Sequence, residues 1–130
     1  MKGKTVLFVC KGNSGRSQMA EAFFNHEKKS SMAISAGSEP DLAIHPSTVR
    51  IMKEVGIDLR GQKPKPLTLH SIRRAYRIII MDERAMDSIP REYMGKVEEW
   101  DIGKLLGKSL ANARRVRDRI KREVGRMREK

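Results

Sequence analysis

The run Val6-Leu7-Phe8-Val9-Cys10-Lys11-Gly12-Asn13-Ser14-Gly15-Arg16-Ser17 constrains this chain more than any other stretch. An apolar, partly β-branched segment ends on the chain's sole cysteine. A short loop with two glycines follows, and Arg16-Ser17 open a pattern that reads as a helix. A strand running through such a turn into a helix makes an anion cradle, because successive backbone N–H groups and the helix N-terminus converge on one point. The same field favours a thiolate over a thiol, which turns a cysteine into a nucleophile at neutral pH.

Each residue type in the loop has a physical task. Gly12 and Gly15 permit positive φ and close approach of the backbone to an anion. Asn13 suits a left-handed turn position and braces the loop through its amide. Arg16 grips two oxygens through its planar fork, and Ser17 donates a hydrogen bond toward the sulfur. Lys11 adds positive potential at the rim, and Ser14 completes the loop. The loop is too short for a nucleotide-triphosphate P-loop and lacks its Gly-Lys-Ser/Thr ending. A lone cysteine closing a buried strand is ordinarily a small core hydrophobe. Its placement between strand and helix, with the glycines and the Arg-Ser pair, points instead to chemistry.

Periodicity predicts alternating strands and helices. Strands are expected at about 5–9, 33–36, 78–81 and 96–98, with helices at about 16–29, 46–55 and 69–74. Pro46 sits at a favoured first helical position and Gly56 at a natural helix stop. A short helix is expected after Asp82, stopping near Pro90, and one long helix runs from about Ser109. The fold class implied is α/β, a three-layer doubly wound sheet of four parallel strands with helices on both faces and the phosphate-binding loop after strand one. Ligands bind beyond the carboxyl ends of such strands, where Cys10 falls. The length of 130 residues fits one domain, 1–130, with no repeats or linkers.

A single cysteine excludes a disulfide scaffold and a cysteine-based zinc site and suits a reducing cytoplasm. His26, His45 and His70 are too scattered to suggest a metal centre, and no cofactor is called for. No apolar run reaches membrane-spanning length and no secretory signal is evident, so no membrane role is expected. The chain carries a net charge of +12. Residues 104–130 supply +8 of it, with eleven Lys/Arg against three Asp/Glu. Leu106, Leu110, Ala113, Val116, Ile120, Val124 and Met127 form a core-facing stripe there, and the basic side reads as a solvated face. No recognition motif accompanies the charge, so nucleic acid is not an expected partner.

The loop resembles that of the low-molecular-weight protein tyrosine phosphatases and their relatives, the thioredoxin-coupled arsenate reductases. It has their shared Cys-x5-Arg-Ser/Thr pattern, and Ser17-Gln18-Met19-Ala20-Glu21 looks like the start of their first helix. The likeness continues through Ser35-Ala36-Gly37, His45-Pro46, Met52-x-Glu54-x-Gly56-Ile57-Asp58 and Ile79-Ile80-Met81-Asp82. It implies a phosphatase acting on phosphotyrosine or other aryl phosphate monoesters, with a phosphotyrosine protein as one substrate class and inorganic phosphate or arsenate as ligands. By that resemblance Cys10 attacks phosphorus, and Arg16 with the amides from Lys11 to Ser17 holds the equatorial oxygens.

Three departures from the family matter. The arsenate reductases relay oxidation along three cysteines; here residues 81–90 contain no cysteine, which leaves only reduction through an external thiol. Phosphatase relatives often carry a second, protective cysteine where Gly15 stands. The family's general acid comes from a late Asp-Pro loop, and this chain has no Asp-Pro. Aligning Trp100-Asp101-Ile102 puts Lys104-Leu105 at that position, and Asp101, three residues early, is the nearest candidate acid. A surface role for Asp101 fits the sequence equally. His45 is expected to cap its helix, Ser35 and Ser38 to satisfy backbone or support the loop, and Trp100 and Tyr93 to pack in the core or flank the pocket. The alternatives to a phosphatase are an arsenate reductase using an external thiol and a non-catalytic oxyanion-binding module.

Overall fold

The computed structural model describes residues 4–27, 30–104 and 109–127. In chain order the elements are β1 (Thr5–Cys10), α1 (Arg16–His26), β2 (Met32–Gly37), α2 (Pro46–Lys53), α3 (Leu69–Arg74), β3 (Arg77–Ile80), β4 (Val97–Glu99) and α4 (Leu110–Arg126). Two 3-10 helices, Glu83–Ser88 and Arg91–Lys96, lie between β3 and β4. The four strands form one parallel sheet in the order β2-β1-β3-β4. This is the α/β class that the sequence predicts.

All six residues of β1 are buried, because a strand paired on both sides and covered on both faces has no polar side to offer. Its alternate residues feed two cores. Val6 and Phe8 pack with Ile79 and the apolar faces of α1, α2 and α4. Leu7 and Val9 pack with Ile78, Ile80, Ile72 of α3, and Ala85 and Ile89 around the first 3-10 helix. Phe8 meets Phe24 edge-on at 6.2 Å between centroids and Trp100 at 5.8 Å. Trp100, half-buried, thus packs against the core. No helix among the described residues is long and apolar enough to cross a membrane.

Chain order reverses at β1, which has β2 on one side and β3 on the other. That topological switch point is where doubly wound sheets open a crevice, and Cys10 ends β1 beside Gly37 of β2. The helix stop at Gly56 has its expected cause. With φ 83°, Gly56 lets its own N–H reach Lys53 O at 3.0 Å and that of Ile57 reach Met52 O at 3.0 Å. Such a left-handed residue closes a helix with paired backbone bonds, which glycine does without steric cost.

Three details depart from the sequence reading. The helix after Asp82 is 3-10, and a second one over Arg91–Lys96 was not anticipated; short 3-10 turns carry too little periodicity to read. On α4, Arg117 is buried where a solvated basic face was expected. Leu110, Ala113, Val116, Ile120, Val124 and Met127 do face the core, while Leu106 lies outside the described residues.

Candidate active site

The loop between β1 and α1 owes its shape to the segment after β2. Four backbone N–H groups of that segment donate to loop carbonyls: Ser38 to Cys10 O (3.1 Å), Glu39 to Lys11 O (2.8 Å), Asp41 to Gly12 O (2.9 Å) and His45 to Ser14 O (3.0 Å). Met19 N–H takes Gly15 O at 3.0 Å. All these peptides are trans, so each outward carbonyl sets the next residue's N–H on the opposite side. The N–H groups of residues 11, 12, 13, 15 and 16 are thereby turned inward. Asn13 N–H shows the direction, donating to Cys10 Sγ at 3.2 Å.

Cys10 is 4% exposed and lies at the base of this ring. Ser17 Oγ is 2.8 Å from Sγ and accepts a hydrogen bond from Asn13 Nδ2 at 2.7 Å. With its oxygen engaged that way, the Ser17 proton is free to point at sulfur. Two donors converging on one sulfur is the arrangement a thiolate accepts. Asn13 is fully buried with φ 52°, the left-handed conformation expected of it, and its Oδ1 accepts from Gln18 Nε2 (3.0 Å) and Lys65 N–H (2.8 Å). Neither Gly12 nor Gly15 has positive φ, contrary to the sequence reading. A Cβ at Gly12 would lie 2.2 Å from Asp41 Oδ2, so a larger residue there would push the Asp41 carboxylate aside.

Arg16 is fixed from outside its own helix. Its Nη1 donates to Met81 O and Gly103 O, both at 2.8 Å, and its Nη2 to Asp82 Oδ2 at 2.9 Å. The Nε–H and the second Nη2–H remain for a ligand. Asp82 also receives Arg84 through its backbone N–H (3.0 Å), Nε (2.9 Å) and Nη2 (2.6 Å). Burial pushes the Asp82 carboxyl up, but the Arg84 hydrogen bonds and the charges of Arg16 and Arg84 outweigh that and hold it at about 2. Asp82 is thus an anchor that stays ionised, not a proton donor.

These groups border a cavity of about 290 Å³. Of the residues singled out in the sequence, Cys10, Lys11, Gly12, Ser14, Gly15 and Arg16 line it, while Asn13 and Ser17 brace it from behind. Asp101 is exposed and is not part of the lining: Trp100 and Ile102 turn into the core on either side and direct it to solvent. Asp41, His45, Asp82, Arg84 and Lys104 also line the cavity. Only Lys104 was placed near the site, by its alignment with the family's acid loop; the other four lie 31–74 positions from Cys10, and only the sheet brings them together. His45 caps α2 as expected, with Nδ1 accepting from Ser47 N–H at 3.2 Å. Tyr93 accepts from Arg73 Nε at 3.1 Å and takes no part in the cavity. Ser35 donates to Glu21 Oε1 at 2.6 Å, so it serves α1 and β2; Ser38 supports the loop through its backbone.

Fold and site together define a doubly wound α/β protein whose first β–α turn encircles a cysteine with inward-facing N–H groups. The chain belongs to the low molecular weight phosphotyrosine protein phosphatase family, whose sequence pattern matches residues 5–130. It is 33% identical over 123 residues, 93% of each chain, to the glutaredoxin arsenate reductase of Synechocystis sp.. A solved arsenate reductase in a phosphate-binding state is 34% identical with a TM-score of 0.80 over 94% of both chains. The low molecular weight protein tyrosine phosphatase of T. tengcongensis superposes with a TM-score of 0.84 at 26% identity, over 94% of this chain and 95% of that one.

Proposed function

We propose that this protein is a cysteine-dependent phosphatase that cleaves phosphate monoesters through a phosphocysteine intermediate. The observation that carries the reading is the pairing of Cys10 Sγ, under two converging donors, with the remaining donors of Arg16 in the same cavity. Sγ attacks phosphorus in line, the inward N–H groups and Arg16 hold the three equatorial oxygens, and the leaving oxygen departs toward the cavity mouth. Water then displaces Sγ from phosphorus and releases inorganic phosphate. Neither step calls for a cofactor.

The expected preference for aryl esters such as phosphotyrosine has less support. Among the described residues no Phe, Tyr or Trp lines the cavity, and Lys11, Arg84 and Lys104 border it. That border favours a polar or anionic leaving group over a phenyl ring.

A second reading, arsenate reduction, is favoured by the identities of 33% and 34% to arsenate reductases. With one cysteine in the chain, the electrons must come from an external thiol. Sγ would replace one arsenate oxygen, which leaves as water. A thiolate would attack Sγ, the S–As bond pair passing to arsenic to release arsenite, and a second thiol would resolve the mixed disulfide.

The test compares wild type with Cys10→Ser on 4-nitrophenyl phosphate, alongside arsenite release from arsenate with glutathione. Ester turnover that vanishes in the variant supports the phosphatase. Thiol-dependent arsenite release without ester turnover moves the assignment to reduction. Phosphate binding with neither activity leaves an oxyanion-binding module.

A further inference from the structure

We infer that Asp41, on the segment between β2 and α2, is the general acid of this site and takes the place of the absent Asp-Pro carboxylate. This rests on the phosphatase reading above.

Cleaving an ester of a poorly acidic alcohol leaves charge on the departing oxygen, and a positioned proton donor removes that cost. The structure narrows the donors. Asp101 faces solvent outside the cavity, and Asp82 is clamped by two guanidinium groups in its ionised form. Among the described residues, the one other carboxylate lining the cavity is Asp41.

Its placement fits the role. The backbone of Asp41 is fastened to the anion loop, its N–H donating to Gly12 O at 2.9 Å, so it cannot drift relative to Cys10 without breaking the loop. Ser14 Oγ donates to its Oδ2 at 2.5 Å and orients the carboxyl, leaving Oδ1 as the oxygen to carry a proton. The carboxyl leans directly over residue 12, where any side chain beyond glycine would displace it. Asp41 is an exposed residue that lines the same cavity as Cys10 and Arg16, so its carboxyl borders the space a leaving group would occupy.

The step balances. As Sγ bonds to phosphorus, the P–O bond to the leaving group breaks and the Asp41 proton passes to that oxygen. The Asp41 carboxylate then takes a proton from water, hydroxide attacks the phosphocysteine, and Sγ departs as thiolate. Ser14 is a positioning residue in this scheme.

The experiment is kcat/KM for Asp41→Asn on phenyl phosphate and on 2,4-dinitrophenyl phosphate, with wild type and Asp101→Asn beside it. Asn keeps the backbone bond and an oxygen for Ser14 but has no proton of carboxylic acidity. The expected result is a loss of ~10²–10³ on phenyl phosphate and under about tenfold on the dinitrophenyl ester, whose leaving group departs unassisted. Asp41→Glu is expected to recover part of the loss on phenyl phosphate. An equal loss on both esters would mean a structural role and overturn the inference, while the phosphatase reading stands. A selective loss in Asp101→Asn instead would assign the acid there. If wild type hydrolyses neither ester, the phosphatase reading falls and takes this one with it.

Discussion

At the residue scale, Asn13 and Asp82 show how much of the site is held by side chains that fasten other residues in place. The Asn13 amide links the loop to α1 through Ser17 and Gln18 and to the backbone of Lys65, so one left-handed residue joins three segments. Asp82 does the same for the two arginines. Its carboxyl is held at about 2 in the folded chain against an ordinary value of 3.8. A folded value below the unfolded one gives stability that is complete above about 4 and lost as pH falls through about 2. Asp82→Asn removes that dependence. Urea midpoints of wild type and Asp82→Asn should therefore differ at pH ~5 and converge as the pH approaches ~2. A gap that stays constant across this window would show that the carboxylate charge does not anchor Arg16. The residues facing the anion were legible in the sequence because their types and spacing are those of an anion cradle. Asn13 was legible as a brace for the loop, but its partners on α1 and at Lys65 were not, and Asp82 carried no sign of its role, because what each binds is set by the sheet.

At the element scale, β1 and α4 illustrate opposite degrees of legibility. The six buried residues of β1 could be read as a central parallel strand from their uninterrupted apolar character. The apolar stripe of α4 was equally plain, but its basic side was not simply solvated. Arg117 donates from Nη1 to Ile51 O (2.9 Å) and Glu54 Oε1 (2.8 Å), and from Nε to Asp118 Oδ1 (2.8 Å). Arg114 makes a fork onto the same Glu54, at 2.9 and 2.7 Å. The Glu54 carboxyl is accordingly held at about 2 by hydrogen bonds from Arg114 and Arg117. The two arginines fasten α4 to the C-terminal end of α2. Arg117→Ala should lower unfolding free energy by ~1–3 kcal/mol, since it strands the Ile51 carbonyl in a buried contact. Arg117→Lys should recover only part of that, because an ammonium cannot span acceptors on two helices as the planar fork does. Thermal or urea unfolding checks both. Periodicity reports which face of a helix is apolar; it cannot report that a charged residue at the edge of that face has a neighbouring helix as its partner.

At the scale of the whole molecule, the site is a junction of four chain segments at the carboxyl end of one sheet. The β1–α1 loop supplies the cradle, residues 38–45 hold its carbonyls, and the ends of β3 and the 102–104 segment hold Arg16. An anion bound there ties these segments together and should stabilise the entire fold by mass action. Inorganic phosphate at ~100 times its Kd is expected to add about 2.7 kcal/mol, read as a rise in Tm. Arg16→Ala should lose most of that rise, and retention of the full shift would place the phosphate elsewhere. The net charge of +12 helps gather anions but does not build the site. What the sequence determined by itself was local: the alternation of strands and helices, the parallel doubly wound class, the helix stop at Gly56, and the cradle with Cys10, Arg16 and Ser17 within one β–α turn. These follow from periodicity, turn chemistry and residues a few positions apart. Tertiary structure alone decided which carboxylate enters the cavity, which is locked in its charged form and which faces solvent. Asp41, Asp82 and Asp101 are alike as residues, and their different environments arise from contacts between segments that only the folded sheet brings together.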